Sequence, residues 1–289
     1  MKVQIIEEVL GAEHTGSYVS GHMGSQILRF RRNEDGSSVV VKFAPFESPS
    51  AIEDIDANIR GYAEIQTIGG SHLVPPELCE ISVPGGKALA MKDLGSSMRM
   101  ADSGLEACNL LWKHFMYSCS KTIHSEKNLG TNQQPLFAVE VVRHIKRFLH
   151  AGRSNLLEQM HQADWSGRWG ASSLMLLDFT PDNLFVDENA LSFIDPWLQD
   201  VYLGHPAVSA GQFATLMQLY KMKDSAEATN MLEERCEIEM PLMLGCDIAA
   251  VKRAFCLGST LQLVLSSYVR QESDPSRSAE LIVKANELW

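Results

Sequence analysis

The sequence predicts an α+β protein with a small β-rich N-lobe at residues 1–94 and a large, mainly helical C-lobe at residues 95–289. Short apolar runs alternate with turns before residue 95, which is typical of antiparallel strands. Long segments with apolar residues at helical spacing follow. The chain has 289 residues and 45% of them are hydrophobic, which is enough for a large core.

The strands of the N-lobe are predicted from four apolar runs in residues 3–44. These runs cover residues 3–11, 18–26, 27–32 and 38–43. Asp35-Gly36 separates the last two and is a strong hairpin signal. We therefore predict that this whole region forms an antiparallel sheet.

A helix at residues 50–68 and two more strands complete the predicted N-lobe. The helix presents apolar side chains at helical spacing, and Ser48 or Ser50 can cap its start. The strands, at 78–83 and 88–91, flank the turn Pro84-Gly85-Gly86.

The C-lobe is predicted to be helical except near residues 172–200. The predicted helices cover residues 103–125, 135–163, 207–222, 224–236, 247–271 and 275–288. Strand-like runs lie at 173–179, 184–186 and 189–197, and we expect the first and last to pair as a hairpin.

Composition narrows the expected partners and location. A formal net charge of −11 and a pI near 5.3 oppose binding to nucleic acid, which needs clustered cations. The sequence has no signal peptide and no evident membrane-spanning run, so we expect a cytoplasmic protein without a membrane partner. The six cysteines show no zinc-site spacing, which indicates free thiols.

Three polar residues follow or end the strand-like runs of the C-lobe. They are Asp178, Asn183 and Asp195. Phosphoryl transfer needs such a set, namely a carboxylate that orients a hydroxyl and oxygen ligands that hold magnesium against phosphates. Asp, Asn and Pro are also ordinary turn residues, so the spacing of Asp178 and Asn183 alone leaves a structural turn open.

The surrounding sequence resembles the aminoglycoside phosphotransferase and choline kinase group. Residues 178–187 read D-F-T-P-D-N-L-F-V-D, and F-I-D-P follows at 193–196. The group's motif is H-G-D-x-x-P-x-N-I-L-V-D followed by a second aspartate. The matching positions are Asp178, Pro181, Asn183, Val186, Asp187, Ile194 and Asp195. The resemblance implies a protein-kinase-like bilobal fold and an ATP-dependent or GTP-dependent kinase that acts on an alcohol group.

The resemblance also implies roles for individual residues. Asp178 would be the catalytic residue that accepts or orients the hydroxyl proton, while Asn183 and Asp195 would hold magnesium. Lys42 ends an apolar strand and resembles the kinase lysine, and Glu64 on the following helix would pair with it to place the phosphates.

The nucleotide would also contact a hinge and a loop. Residues 88–95, A-L-A-M-K-D-L-G, resemble the group's hinge, which implies backbone contacts to adenine around Met91, Asp93 and Leu94. Gly21, Gly24 and Ser25 lie between the first two strands, where the group has its phosphate-covering loop.

The sequence departs from the group at two places that support the catalytic loop. Leu176-Leu177 replaces the His-Gly before the catalytic aspartate. Residues 204–209, G-H-P-A-V-S, resemble G-D-P-x-x-D without either aspartate. We expect these changes, at His205 and Ser209, to remove supporting contacts without removing a metal ligand, and we expect His205 to be a loop residue.

The sequence does not identify the acceptor. Glu233, Glu234, Glu237 and Glu239 are close in sequence and could attract a cationic antibiotic or natural product, or could form an ordinary solvated helix face. Trp165, Trp169 and Trp197 could line the acceptor site or pack in the core. Three functions are compatible with these features: a resistance-type kinase, a kinase of metabolites or biosynthetic intermediates, and a catalytically impaired nucleotide-binding module. We expect the protein to be a monomer or a homodimer.

Overall fold

A computed structural model describes residues 2–17, 24–128, 156, 158–160, 165, 167–186, 191–196 and 201–289. The helices in these residues are α1 Lys2–Leu10, α2 Pro49–Thr67, α3 Gly104–Lys121, α4 Ala207–Leu219, α5 Ser225–Leu244, α6 Ile248–Arg270 and α7 Pro275–Leu288. The strands are β1 Ala12–Ser17, β2 Gln26–Arg32, β3 Ser38–Pro45, β4 Cys79–Val83, β5 Gly86–Lys92, β6 His124–Asn128, β7 Ala171–Leu176, β8 Leu184–Val186, β9 Leu191–Phe193 and β10 Val201–Gly204.

The N-terminal sheet has five antiparallel strands in the order β1-β2-β3-β5-β4. In its centre, Val41 of β3 lies between Leu28 of β2 and Ala90 of β5. Phe30 and Phe43 are buried on the sheet and belong to a small N-terminal core cluster. The predicted antiparallel sheet and its hairpin between β2 and β3 are therefore confirmed.

The first apolar run was predicted as a strand, and this prediction is wrong, because residues 2–10 form α1. Val3, Ile6 and Leu10 are spaced three and four residues apart, so they lie on one face of a helix. Ile6 is fully buried in the N-terminal cluster, with Val3 and Leu10 packed against it. The predicted run at 18–26 lies largely outside the described residues.

Helix α2 packs on the inner strands β3 and β5 of the sheet, as predicted. Pro49 occupies its first turn, where the missing N–H costs nothing. Its buried face carries Ile55 and Ile65, and it also carries the polar residues Asp54 and Asn58. The polar part of this face is directed toward Lys42 of β3.

The pairing of the C-terminal strands differs from the prediction. Strand β7 pairs with β6 and β10, whereas β9 pairs with the three-residue strand β8. The reason is proximity in sequence, since β8 and β9 are joined by only four residues and form a local hairpin. Strand β10 was not predicted, and β6 occupies part of a segment predicted as helix.

The C-terminal region is dominated by α4 to α7, close to their predicted positions. Helix α4 is buried along most of its length and packs against α6, which in turn packs against α7. Helix α5 runs to Leu244, eight residues past its predicted end, and stops at the left-handed Gly245. The predicted helix at 135–163 lies almost entirely outside the described residues.

Helix α6 is the one described helix that is long and apolar enough to cross a bilayer, with a mean hydropathy of 1.4 in its most apolar window. Two thirds of that window, 67%, is buried inside the protein. The buried part of α6 packs against α4 and α7.

Helices α4 and α6 approach each other through two glycines. A Cβ atom at Gly258 would lie 1.9 Å from the carbonyl oxygen of Val208, and one at Gly211 would lie 2.1 Å from that of Phe255. Both distances are far below van der Waals contact, so this crossing requires glycine at both positions.

Gly258→Ala should therefore lower the free energy of unfolding by at least about 2 kcal/mol, because the added methyl overpacks the crossing. The gain of about 1 kcal/mol that alanine normally brings to a helix cannot compensate. Urea denaturation would measure the change. Gly16→Ala, at a site with open space, is the control, and equal stability of the two variants would contradict the close packing.

Candidate active site

Three segments that are distant in sequence meet at the ammonium group of Lys42. Its Nζ lies 2.8 Å from Asp54 Oδ2 on α2 and 2.9 Å from Asp195 Oδ1, which follows β9. It also donates a 2.8 Å hydrogen bond to Asn58 Oδ1, one turn along α2 from Asp54. Lys42, which lies within β3, therefore joins the sheet, the helix and the C-terminal region.

This charge cluster is buried except at Asp195. The side chains of Lys42 and Asp54 are 5% and 6% exposed, whereas that of Asp195 is 41% exposed. Burial disfavours the charged ammonium, but Asp195 and Asp54 outweigh burial and raise the pKa of Lys42 above its ordinary value. Buried Ser25 donates a 3.3 Å hydrogen bond to Asp54, so the predicted loop residue supports the cluster.

The predicted pairing of Lys42 with Glu64 is wrong, because Asp54 is the helix carboxylate that contacts the lysine. Ten residues separate Asp54 from Glu64, which is about 15 Å along a helix. Glu64 also lies on a different face, since ten positions are not a whole number of turns. Asn58 follows Asp54 by four residues and so shares its face.

Asp195 has a backbone conformation that is uncommon for a residue other than glycine, with φ at +54°. Helix α2 closely contacts the next residue, Pro196. Asn58 Nδ2 donates to the Pro196 carbonyl at 3.4 Å, and a Cβ atom at Gly61 would lie 2.2 Å from that oxygen. These contacts hold Asp195 in its strained conformation, from which its carboxylate reaches Lys42.

Asp178 and Asn183 are joined directly by their side chains. Asn183 Nδ2 donates a 2.6 Å hydrogen bond to Asp178 Oδ2, and the carboxylate of Asp178 is exposed. The loop between them is tight, with a 3.0 Å bond from Asn183 N–H to the Thr180 carbonyl. The Asn183 carbonyl then accepts from Ile194 N–H at 2.9 Å, which places Asn183 beside the residue before Asp195.

The two residues predicted to hold magnesium, Asn183 and Asp195, are linked through the backbone bond between Asn183 and Ile194. The amide nitrogen of Asn183 faces Asp178, which leaves its amide oxygen available as a ligand, and the Asp195 carboxylate is partly exposed. Oxygen atoms are the ligands that magnesium prefers. In the described part of the chain, no group of three His, Cys, Asp or Glu side chains is placed to hold a metal ion, and the six cysteines are free thiols.

The departure at residues 204–209 keeps supporting contacts that we expected to be lost. Ser209 Oγ bonds both the N–H and the carbonyl of Leu176, each at 2.9 Å. His205 is fully buried, and its Nδ1 accepts a 3.3 Å hydrogen bond from Ala207 N–H at the start of α4. Hydroxyl and imidazole groups therefore supply hydrogen bonds at the positions of the missing aspartates. His205 lies in the connection between β10 and α4, which agrees with its prediction as a loop residue.

The predicted hinge borders a cavity of about 160 Å³. Pro76, Lys92, Asp93, Leu94, Phe185 and Ser192 line it. Phe185 and Ser192 face each other across the β8–β9 hairpin and were missed by sequence reasoning. The available signal was position, since Phe185 follows Asn183 by two residues and lies in the short apolar run at 184–186.

The backbone of the hinge has one candidate donor for a base. The N–H of Lys92 bonds to Pro76, and that of Asp93 bonds to Ser38. The Asp93 carboxylate holds Arg29 and accepts from Gly95 N–H. Within the described residues the N–H of Leu94 has no acceptor, so it could bind a ligand in the cavity.

The structure describes three of the four other residues that were predicted to contact the nucleotide. Met91 is buried on β5 opposite Val40. Gly24 has φ at +86°, and Ser25 directs its hydroxyl at Asp54, while Gly21 lies outside the described residues. The phosphate-covering role of this loop stays a prediction.

The acidic segment of α5 is partly used for packing. Glu239 accepts a 2.8 Å hydrogen bond from Trp112 Nε1, and Glu237 pairs with Lys252 at 3.1 Å. Burial and the neighbouring Glu237 raise the pKa of Glu233. Trp165 and Trp169 are buried and pack against each other, so they belong to the core. Trp197 lies outside the described residues.

The fold is that of the protein-kinase-like phosphotransferases. An aminoglycoside-3'-phosphotransferase of type VIII matches with a TM-score of 0.52 and 12% identity, covering 89% of this chain and 98% of its own. An ethanolamine kinase from Plasmodium vivax matches with a TM-score of 0.52 and 11% identity, covering 98% of this chain and 84% of its own. No protein-family model and no curated protein sequence matches the chain. At these identities the likeness establishes the fold, and the resemblance seen in the motifs is confirmed at that level.

Asp54→Ala should lower the free energy of unfolding by about 2–4 kcal/mol, because it removes a partner from a buried ammonium. Glu64→Ala is the matched control on the same helix and should change stability by less than about 0.5 kcal/mol. Urea denaturation near neutral pH would compare the two. A larger loss for the Glu64 variant would restore the original pairing.

His205 should make stability depend on pH. Burial lowers the pKa of His205 from 6.5 to about 3, so the folded protein keeps this imidazole neutral where the unfolded chain protonates it. Stability from this residue is therefore present above about pH 6.5 and falls as pH drops toward 3, with a maximal slope of about 1.4 kcal/mol per pH unit. His205→Gln should show a shallower decline in denaturation midpoints between pH 6.5 and 4. An unchanged slope would contradict the buried neutral state.

Proposed function

We propose that this chain is a magnesium-dependent kinase that transfers the γ-phosphate of ATP or GTP to a hydroxyl group of a small molecule. The observation that carries the proposal is the pair of contacts that bring Lys42 to Asp195 and Asn183 to Asp178. These four residues supply one ammonium group, two carboxylates and an amide oxygen, and the hydrogen bond from Ile194 N–H to the Asn183 carbonyl links the two pairs through the backbone. Structural similarity to small-molecule phosphotransferases supports the same class of reaction.

In the proposed mechanism the nucleotide binds between residues 1–94 and residues 95–289. The base occupies the cavity beside Leu94 and Phe185. Lys42 contacts the phosphates while Asp54 and Asn58 hold its ammonium group in place. Asn183 and Asp195 would hold magnesium, which neutralises charge on the phosphates during transfer.

Asp178 is the proposed base that accepts or orients the proton of the attacking hydroxyl. Asp178 is exposed, and Asn183 donates a hydrogen bond to one of its carboxylate oxygens. Phosphoryl transfer requires little covalent chemistry from the protein, so most of the rate would come from positioning and charge neutralisation.

We propose a cationic antibiotic or a related natural product as the acceptor, which would make the chain a resistance-type kinase. The support is the net charge of −11, which would favour approach of a cation, and the acidic segment of α5. A neutral metabolite or biosynthetic intermediate is the alternative acceptor for the same chemistry.

Asp178→Ala should lower the transfer rate by at least about 100-fold, because it removes the group that orients the hydroxyl proton. Nucleotide affinity should be unchanged, since the carboxylate does not contact the phosphates in this mechanism. The measurement is nucleotide consumption with magnesium against aminoglycosides, macrolides, peptide antibiotics and amino alcohols, with calorimetry for nucleotide binding.

Asp182→Ala is the matched control, since this carboxylate belongs to the same loop and has no role in the mechanism. Asp195→Ala, run beside it, should lose the magnesium dependence of nucleotide binding. Equal transfer rates for the Asp178 and Asp182 variants would refute the assignment. Nucleotide binding that is independent of magnesium in the unaltered protein, without transfer to any acceptor, would indicate a binding module.

A further inference from the structure

Helix α4 is attached to the backbone immediately before Asp178. The hydroxyl of Ser209 accepts from Leu176 N–H at 2.9 Å and donates to the Leu176 carbonyl at 2.9 Å. Gln212 lies one turn further along α4. With its amide nitrogen turned toward the strand, it donates to the carbonyls of Leu177 at 2.7 Å and Leu176 at 3.2 Å.

The carbonyl of Leu177 is the anchor of the turn that carries Asp178. It accepts from Phe179 N–H at 2.5 Å as well as from Gln212. The N–H of Thr180 then bonds to the Asp178 carbonyl at 2.8 Å, which tightens the turn further. A shift of the Leu177 carbonyl would therefore move the backbone of Asp178 directly.

The two side chains that make these contacts are buried. Ser209 and Gln212 are 1% and 0% exposed, and they are three residues apart, so they project from the same side of α4. Removing either side chain would leave buried backbone groups of Leu176 or Leu177 without that hydrogen-bond partner, which is costly. The two side chains together hold three backbone groups of Leu176 and Leu177.

We propose that Ser209 and Gln212 are positioning residues that fix the orientation of Asp178 through the backbone of Leu176 and Leu177. This inference rests on the proposed kinase function. Uncharged hydroxyl and amide groups perform the task here, beside a catalytic loop that lacks the usual His-Gly. Displacements of about 1 Å at a reacting group can lower a rate about 100-fold, so the proposed contacts affect turnover more than nucleotide binding.

The test compares Ser209→Ala with Ser259→Ala. Ser259 is also buried and also bonds to α4, through a 3.1 Å contact to the Gly211 carbonyl, but it does not touch the catalytic loop. The two variants therefore lose the same group from neighbouring sites. Gln212→Met is a second variant that keeps the length of the side chain and removes its hydrogen bonds.

Two readouts are measured on full-length protein whose folding has been checked by thermal denaturation. The first is amide hydrogen exchange of residues 171–180, which should accelerate in Ser209→Ala and Gln212→Met but not in Ser259→Ala. The second is the steady-state rate with magnesium and nucleotide. There kcat should fall by roughly 10-fold or more in the first two variants, while KM for the nucleotide stays unchanged.

The outcomes separate this inference from the proposed function. Unchanged exchange, or a kcat equal to that of Ser259→Ala, overturns the positioning role. If the unaltered protein neither transfers phosphate nor hydrolyses nucleotide, the kinase proposal fails. Exchange alone then decides whether α4 fixes the loop, with faster exchange in Ser209→Ala supporting it and equal exchange overturning it.

Discussion

The burial of one ammonium group constrains the whole cleft. Lys42 is almost fully removed from water, and an unpaired charge in that position would be strongly destabilising. Its partners come from α2 and from the segment after β9, so the sheet, the helix and the C-terminal region must be correctly placed together. A local change at Asp54, Asn58 or Asp195 would therefore disturb the relation between distant parts of the chain.

The cluster around Lys42 contains more negative than positive charge, and this affects which ligands it can bind. One ammonium faces two carboxylates, so the cluster has a net charge of −1 when Lys42, Asp54 and Asp195 are ionised. Asp54 is buried beside the lysine, whereas Asp195 is partly exposed and can contact both the lysine and a ligand. A divalent cation that brings phosphates would meet an exposed carboxylate, while the lysine retains Asp54 as its partner. This division suits the proposed magnesium-nucleotide complex.

The parts of the site that could be predicted from the sequence are those carried by short segments. Asp178, Asn183 and Asp195 lie within eighteen residues, and Lys42 lies in a clear β-run at residues 38–43. The partner of Lys42 could not be predicted, because the choice between Asp54 and Glu64 depends on the rotation of α2 relative to the sheet, which is set by tertiary packing. The strand pairing could not be predicted for the same reason, since nothing local in β7 indicates that it pairs with β10 rather than β9.

The departures from the family motif can be understood by separating two kinds of residue. A supporting residue acts through hydrogen bonds to the backbone, so any side chain with a suitable donor or acceptor can replace it, as Ser209 does at Leu176 and His205 does at Ala207. The roles proposed for Lys42 and Asp178 depend instead on the charge of an ammonium group and the basicity of a carboxylate, which a side chain suited only to backbone hydrogen bonding does not supply. In this chain the changes fall on supporting positions, while Lys42 and Asp178 keep their chemical type. The altered motif is therefore consistent with the proposed kinase function, because the changes replace supporting contacts and leave the residues with proposed chemical roles in place.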